Sequence, residues 1–414
     1  MIGRSPKPRR AHANATLRAL AAASALTLVI APHGFAQTAT ARPTTARTSA
    51  AAPVYKSTLH DYRVVTVVDG LVSPWAMAFL PSGDMLVTER PGRLRIVRDG
   101  VLLRTPVVGV PAVVARGQGG LLDVVLHPSF ATNRFVYLSF SKPTTGGAAT
   151  TAVVRGRFEN DALVDVREIF VADTKGAPGH FGSRLAFDGS GHLFITVGDR
   201  QISPSGDLAA HPAQDLTNHH GTINRVFDDG RIPPDNPFVN TAGAKPEIWS
   251  YGHRNPQGLV VHAGTGEVWA TEHGPQGGDE LNLVQKGANY GWPVIGFGVN
   301  YGSGAAIHAA TRKPGMINAV NVWVPSIATS GLMVYTGSKF PLWQGSIFSG
   351  ALAGQRLVRL TLDDRQADVA DNLVRDRGRI RDVRQGPDGF IYLALDDQQG
   401  TPTPIVRLEP VARR

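Results

Sequence analysis

The stretch Asp188-Gly-Ser-Gly-His-Leu-Phe-Ile-Thr-Val-Gly-Asp199 reads as a glycine-bearing turn, an alternating apolar run and a polar end. That is the pattern of a turn feeding a strand, with β-branched and aromatic residues at period two. It recurs as Pro81-Ser-Gly-Asp-Met-Leu-Val-Thr-Glu-Arg90, as Ala263-Gly-Thr-Gly-Glu-Val-Trp-Ala-Thr-Glu-His273 and as Gly386-Pro-Asp-Gly-Phe-Ile-Tyr-Leu-Ala-Leu-Asp396. Looser copies run over residues 133–140 and 344–350. Six copies in roughly 360 residues give about 60 per unit, longer than short propeller repeats, so the surplus belongs in loops. The pattern predicts an all-β six-bladed β-propeller over residues 59–414, with the Val-rich segment 60–68 closing the ring against the C-terminal blade. A pair of β-sandwiches is the alternative. Helical periodicity is confined to short stretches near residues 209–226.

The rest of the composition agrees. Gly 46 and Pro 29 in 414 residues, with 42% hydrophobic residues, suit many short strands. The absence of cysteine excludes disulfides, thiolate metal sites, a Cys nucleophile and covalent haem. Residues 1–36 carry Arg4, Lys7, Arg9, Arg10 and Arg18 and no acid, then an apolar run from Ala19 to Ala31 and small residues to Ala36. This is the layout of a cleaved signal peptide, and it predicts a periplasmic or secreted protein. Arg9-Arg10 is compatible with a twin-arginine route. A retained anchor is the alternative, although the run is short for a membrane span. The net charge of +9 less those five cations leaves +4, which does not point to nucleic acid. Residues 37–58 read as a disordered leader rich in Thr, Ala and Pro. No later segment is apolar enough to span a membrane.

There is no GxGxxG opening a helix, no Walker loop, no HExxH, no GxSxG elbow and no EF-hand loop. Polar residues gather instead beside predicted strand ends: Gly117-Gln-Gly-Gly120, Gly179-His-Phe-Gly-Ser-Arg184, Gly198-Asp-Arg200 and Arg377-Gly-Arg-Ile-Arg-Asp382. Two longer clusters are Gly252-His-Arg-Asn-Pro-Gln-Gly258 and Glu272-His-Gly-Pro-Gln-Gly-Gly-Asp-Glu280. Loops on a rigid scaffold are where sites form. Arginines there can grip carboxylates in bidentate fashion, and Gly or Pro carbonyls can bind calcium. His180 is a candidate general base with Asp199 to orient it. His219-His220 is no metal pair if it lies on a strand, since adjacent side chains then point to opposite faces. Trp249, Trp269 and Trp292 read as packing residues.

Gly252-His-Arg-Asn-Pro-Gln-Gly258, Glu272-His-Gly-Pro275 with Gly278-Asp-Glu-Leu-Asn282, and Asn289-Tyr-Gly-Trp-Pro293 together resemble the soluble pyrroloquinoline quinone (PQQ)-dependent sugar dehydrogenases, particularly the aldose sugar dehydrogenase branch. The similarity runs from about Leu71 to Leu408, and the family is a six-bladed propeller. The resemblance implies that His180 takes the proton of a sugar anomeric hydroxyl, with Asp199 holding the imidazole. It implies that Gln118 contacts substrate or quinone and that Arg254 and Asn255 bond the quinone oxygens. Gly274 and Pro275 would offer carbonyls to Ca2+, Arg379 and Arg381 would pair with quinone carboxylates, and Asp279 would support this pocket. His273 stands where the glucose branch has a glutamine, and Ala353 where some members carry a cofactor-contacting lysine. Asn300, where a carboxylate would be expected, argues against a second calcium in the loop from Gly291 to Asn300.

The implied activity is oxidation of an aldose to its lactone, with electrons passed to an external acceptor, by a monomer or homodimer. Two other functions remain open on sequence: a calcium-dependent lactonase, which would want a carboxylate-rich centre, and a non-catalytic propeller that binds carbohydrate or protein.

Overall fold

A computed structural model describes residues 53–412. The expected signal peptide and the leader up to residue 52 lie outside the described residues. Twenty-four strands form six antiparallel four-stranded sheets, and a short twenty-fifth strand adds to one of them. Blade 1 contains Pro74–Phe79, Met85–Glu89, Arg93–Arg98 and Val101–Leu102. Blade 2 contains Leu121–Leu126, Phe135–Pro143, Ala149–Glu159 and Ala162–Val171. Blade 3 contains Leu185–Phe187, His192–Val197, Thr222–Phe227 and Ile248–Ser250. Blade 4 contains Pro256–Val261, Val268–Glu272, Asp279–Val284 and Asn321–Trp323. Blade 5 contains Thr329–Val334, Ile347–Ala351, Arg356–Asp363 and Gln366–Leu373. Blade 6 contains Arg379–Gln385, Ile391–Asp396 and Pro402–Val411, and takes its fourth strand, Asp61–Val72, from the other end of the chain. The first strand of each blade touches those of the next and previous blades, so the ring closes.

Every copy of the repeated sequence pattern forms the second strand of its blade, the looser two included. The reason is local: a tight turn after strand one forces reversal, and strand two is buried on both faces, between the blades on either side. Six hydrophobic clusters result, one at each junction between neighbouring blades. Burying each large side chain there contributes roughly 1.5–3 kcal/mol. The ring is locked by Asp61–Val72 pairing antiparallel with Pro402–Val411 from Asp61↔Val411 to Val72↔Pro402, with register shifts after Thr66 and after Val68, which joins the two ends of the described chain within one sheet.

Two expectations change. Residues 53–58 belong to the blade and not to a disordered leader. Val54–Tyr55 pairs with Arg63 and Tyr62, Tyr55 stacks on Tyr62, and Thr58 donates to Asp371 through N–H and hydroxyl. The stretch 209–226 holds only single 3-10 turns, Leu208–Ala210 and Pro212–Gln214, followed by a strand. His219 and His220 precede that strand in a loop, where they bond the backbone of Asp173 and Lys175. Among the described residues no helix is long and apolar enough to cross a membrane.

The centre of the ring is filled with charge. Arg184 Nη1 donates to Asp382 Oδ1 at 2.8 Å, and Arg384 donates to Asp382 and Asp123 at 2.9 and 2.8 Å. Backbone N–H groups of Met77 and Leu185 complete the two carboxylates, and the Arg184 guanidinium lies 4.0 Å from the Trp75 ring centre. With every partner present, such a buried network fixes geometry more than it adds stability. Arg184 Nη2 also donates to Arg381 O at 3.0 Å, which ties this plug to the face above it.

Candidate active site

One face of the ring collects two kinds of loop: those that enter the first strand of a blade and those that join its second and third strands. The polar ends of the repeated motif therefore arrive on this face, bringing Asp199, His273 and Asp396. The entering loops bring Gln118, His180 and Arg254. Two hollows open here. A cavity of about 400 Å³ is lined by Arg90, Arg379, Arg381, Ala353 and Asp396 over an apolar base that includes Trp75 and Phe181. A wider cleft of about 510 Å³ is lined by His180, Asp199, Arg254, Pro275, Trp292 and Tyr301. Gln118 and His273 line both, so the two hollows meet there.

His180 stands at that junction in a left-handed backbone conformation, φ 47°. A Cβ at residue 198 would sit 2.2 Å from His180 O, so only glycine lets the two loops approach. The His180 N–H donates to Gln118 Oε1 at 2.8 Å, and Nδ1 lies 2.6 Å from Asp199 Oδ1. Asp199 also accepts from Gln201 N–H at 2.9 Å and, through Oδ2, from the Trp292 indole N–H at 2.8 Å. Burial pushes the His180 pKa below its ordinary value, against the opposing pull of Asp199, and Arg254 and Arg200 add to the lowering. Burial pulls Asp199 up, but His180, Arg254 and the Gln201 N–H outweigh it and hold its carboxyl below the usual range. The result is a neutral imidazole whose Nδ1–H points at a carboxylate and whose Nε2 carries the free lone pair.

Arg254 is built into the wall beside it. Its N–H donates to Glu272 Oε2, its Nη1 to His273 O and Gly274 O at 3.1 and 2.6 Å, and its guanidinium lies 5.2 Å from the Trp292 ring centre. His273 Nε2 lies 2.6 Å from Thr329 O, and burial first, with Arg254 adding to it, pulls the pKa down to about 4. Its Nδ1 is therefore a lone-pair acceptor. Arg381 donates to Gln257 Oε1 and Asp396 Oδ2 at 3.1 and 3.3 Å, and Arg379 Nε lies 3.6 Å from the same Asp396 oxygen.

The remaining expected residues sit behind this surface. Asn255 lines neither hollow; its Oδ1 accepts from Gly182 N–H at 3.1 Å. Asp279 also lines neither: Oδ1 accepts from Gly274 N–H, and Oδ2 from the N–H groups of Ile327 and Ala328. It shapes the loop that presents Gly274 and Pro275, and both of its oxygens are engaged by backbone N–H groups. Arg377 donates to Tyr55 OH and stays apart from Arg379 and Arg381. Trp292 does more than pack, because its indole N–H holds the carboxylate that holds the base; its place inside Asn289-Tyr-Gly-Trp-Pro293 is the available signal.

Several buried donors have no hydrogen-bond partner: Asn255 Nδ2, Arg254 Nε and Arg379 Nε. Such atoms cost free energy unless a ligand or water meets them. Of these, Arg379 lines the cavity, and with Arg90, Arg381 and the aromatic base it fits a flat, multiply anionic ring system. The metal donors fit less completely. Gly274 O accepts from Arg254, Pro275 O from Ser326 Oγ at 3.2 Å, and no group of three or more His, Asp or Glu suited to a metal occurs among the described residues. Two neutral carbonyls suit calcium only when an anionic ligand and water complete its shell.

Comparison with known proteins agrees with the six-bladed fold and gives the family. The family described as Glucose / Sorbosone dehydrogenase matches residues 71–407. Aldose sugar dehydrogenase YliI of Escherichia coli (strain K12) is 45% identical over 344 residues, 81% of this chain and 91% of that protein. The solved apo-form of the soluble aldose sugar dehydrogenase from Escherichia coli superposes with a TM-score of 0.80 at 42% identity, covering 84% of this chain and 100% of that one. The PQQ-bound aldose sugar dehydrogenase from Streptomyces coelicolor gives 0.67 at 30% identity, over 84% and 98%.

Proposed function

The chain belongs to the glucose/sorbosone dehydrogenase family, and from that premise we propose that it oxidises aldoses at the anomeric carbon to lactones with bound PQQ and Ca2+. The observation that carries the reading is the His180–Asp199 pair, 2.6 Å apart, at the junction of an arginine-lined cavity and an open cleft. The cavity is the proposed cofactor site and the cleft the proposed sugar site.

The sugar's anomeric hydroxyl donates to His180 Nε2, which takes its proton. Asp199 stabilises the imidazolium that forms and keeps Nδ1 protonated, and Trp292 keeps Asp199 turned towards it. When bound, the quinone supplies the two-electron acceptor for the C1 hydrogen, so that the sugar leaves as its lactone. Arg254, which lines the cleft where it meets the cavity, would offset charge that develops on the acceptor, a preorganised electrostatic contribution, while Asn255 supports the His180 loop from behind through Gly182 N–H. Arg379 and Arg381 anchor its carboxylates. Gly274 and Pro275 would hold calcium, which supplies Lewis-acid polarisation. Electrons then pass to an external acceptor, and export through residues 1–36 belongs to the same proposal.

The test is reduction of an artificial dye by the protein with a panel of aldoses, omitting quinone, calcium or sugar in turn. Reduction that needs all three supports the reading. Lactone hydrolysis without added quinone, or sugar binding without dye reduction in the presence of all three, would replace it with a lactonase or a binding propeller.

A further inference from the structure

The first copy of the repeated motif ends in Glu89-Arg90, at the position where other copies deliver Asp199, His273 and Asp396 to the site. Its two charged residues behave differently. Glu89 is buried and fully engaged, accepting from Val72 N–H, Arg93 Nε and Arg95 Nη1. Arg90 lines the 400 Å³ cavity together with Arg379 and Arg381. Its guanidinium donates to Gly117 O, and no ion pair joins it to any carboxylate among the described residues. The carboxylates lining that cavity are engaged elsewhere: Asp396 by Arg379 and Arg381, Asp397 by the Gln399 N–H and the Thr401 hydroxyl.

Arg90 is also held firmly. Its N–H donates to Ser73 O and its carbonyl accepts from Leu121 N–H, both at 3.0 Å, which clamps it between blades 1 and 2. A Cβ at residue 120 would lie 2.0 Å from Arg90 O, so the glycine there is what permits the clamp. Three guanidinium groups from two neighbouring blades thus share one hollow with fewer available anions. The crowding is felt at Arg381, which burial, with Arg379, Arg184 and Arg90, pulls down to about 10 against the opposing Asp396.

We propose that Arg90 is a further carboxylate-binding residue of the cofactor cavity, a third cation beside Arg379 and Arg381 for an aromatic tricarboxylate. This rests on the reading of that cavity as the quinone site. The assigned residues offer two arginines for three carboxylates, and Ala353 brings no cation from blade 5. A guanidinium with one N–H on a carbonyl keeps its remaining donors for a fork-like contact with a carboxylate.

The test titrates the full chain and its R90Q and R90K variants with PQQ in calcium buffer, read by tryptophan fluorescence and quinone absorbance. A parallel titration uses the PQQ trimethyl ester, which keeps the ring and lacks the charges. Loss of a charge-assisted contact predicts PQQ affinity about 10- to 100-fold weaker in R90Q, with ester affinity unchanged. R90K, which keeps the charge without the fork, should fall between. PQQ binding equal to wild type in R90Q overturns the role of Arg90 alone. Equal losses for quinone and ester, with a lowered Tm, would mean that Arg90 only packs the 117–120 loop. No PQQ binding by the wild-type chain would overturn the cofactor reading and this inference together.

Discussion

Replacing Asp199 by Asn changes few atoms and should remove most of the turnover. Asp199 accepts three hydrogen bonds: from His180 Nδ1 and Gln201 N–H on Oδ1 and from Trp292 Nε1 on Oδ2. An asparagine has one acceptor oxygen. If that oxygen faces His180, the amide NH2 meets the Trp292 donor. If it faces Trp292, the NH2 meets His180 and Gln201, and the imidazole must carry its proton on Nε2, where the base needs a lone pair. Either way the carboxylate charge that stabilises the imidazolium is lost. General-base catalysis contributes about 10²- to 10⁴-fold, and wrong-tautomer substitutions fall at its upper end. The expected loss in kcat is therefore about 10³- to 10⁴-fold, roughly 4–5.5 kcal/mol. Steady-state dye reduction at saturating PQQ and calcium gives kcat, and absorbance titration checks that the quinone still binds. A D199N enzyme within about threefold of wild type, against the 10²-fold minimum expected of a general base, would refute the dyad.

Other substitutions test neighbouring parts. Trp292→Phe removes one donor to Asp199 and should lower kcat about tenfold with quinone affinity retained, since a hydrogen bond to a charged group is worth about 1.5–3 kcal/mol; unchanged kinetics would make Trp292 a packing residue after all. Burial, then the neighbouring Glu272 and Asp279, push Glu280 up to about 8 against Asn282. Because this folded pKa exceeds the unfolded one, the group's contribution is complete below the ordinary glutamate range and is lost as pH rises towards 8. In chelator-treated protein, Glu280→Gln should therefore raise Tm over wild type at pH 8.5 but not at pH 4, which scanning fluorimetry checks; the same gain at both pH values would contradict a neutral Glu280. Leu71→Ala, at the junction of blades 6 and 1, should cost about 2–5 kcal/mol in urea unfolding. A loss below about 1 kcal/mol, under half of that range, would mean that the closing strand contributes little.

The blades were legible because their signal is local: a glycine turn and period-two alternation need no knowledge of distant residues. The ring closure was legible from composition and place, since residues 60–68 are Val-rich and stand before the first repeat, where a closing strand is wanted. The ordered segment 53–58 was not, because Thr-, Ala- and Pro-rich composition hides contacts of Tyr55 with Asp376 and of Thr58 with Asp371, each more than 300 residues away. His180 and Asp199 stood out as a candidate base and its orienting carboxylate by type and setting, whereas Arg379 and Arg381, alternating along one strand, read as a solvated face without the family resemblance. Trp292 and Arg90 did not stand out: an indole bonded to a carboxylate 93 residues earlier and an arginine at the end of a strand look ordinary until the ring brings them round.

The most direct test of the account is a single turnover without dye. PQQ-loaded protein is mixed anaerobically with an aldose carrying either hydrogen or deuterium at C1, and quinone absorbance is followed in the wild type and in His180→Gln. The account predicts rapid bleaching that slows with deuterium in the wild type, and a His180→Gln protein that binds the quinone but leaves it oxidised. Bleaching at the wild-type rate in His180→Gln, or none with any aldose in the loaded wild type, would contradict it.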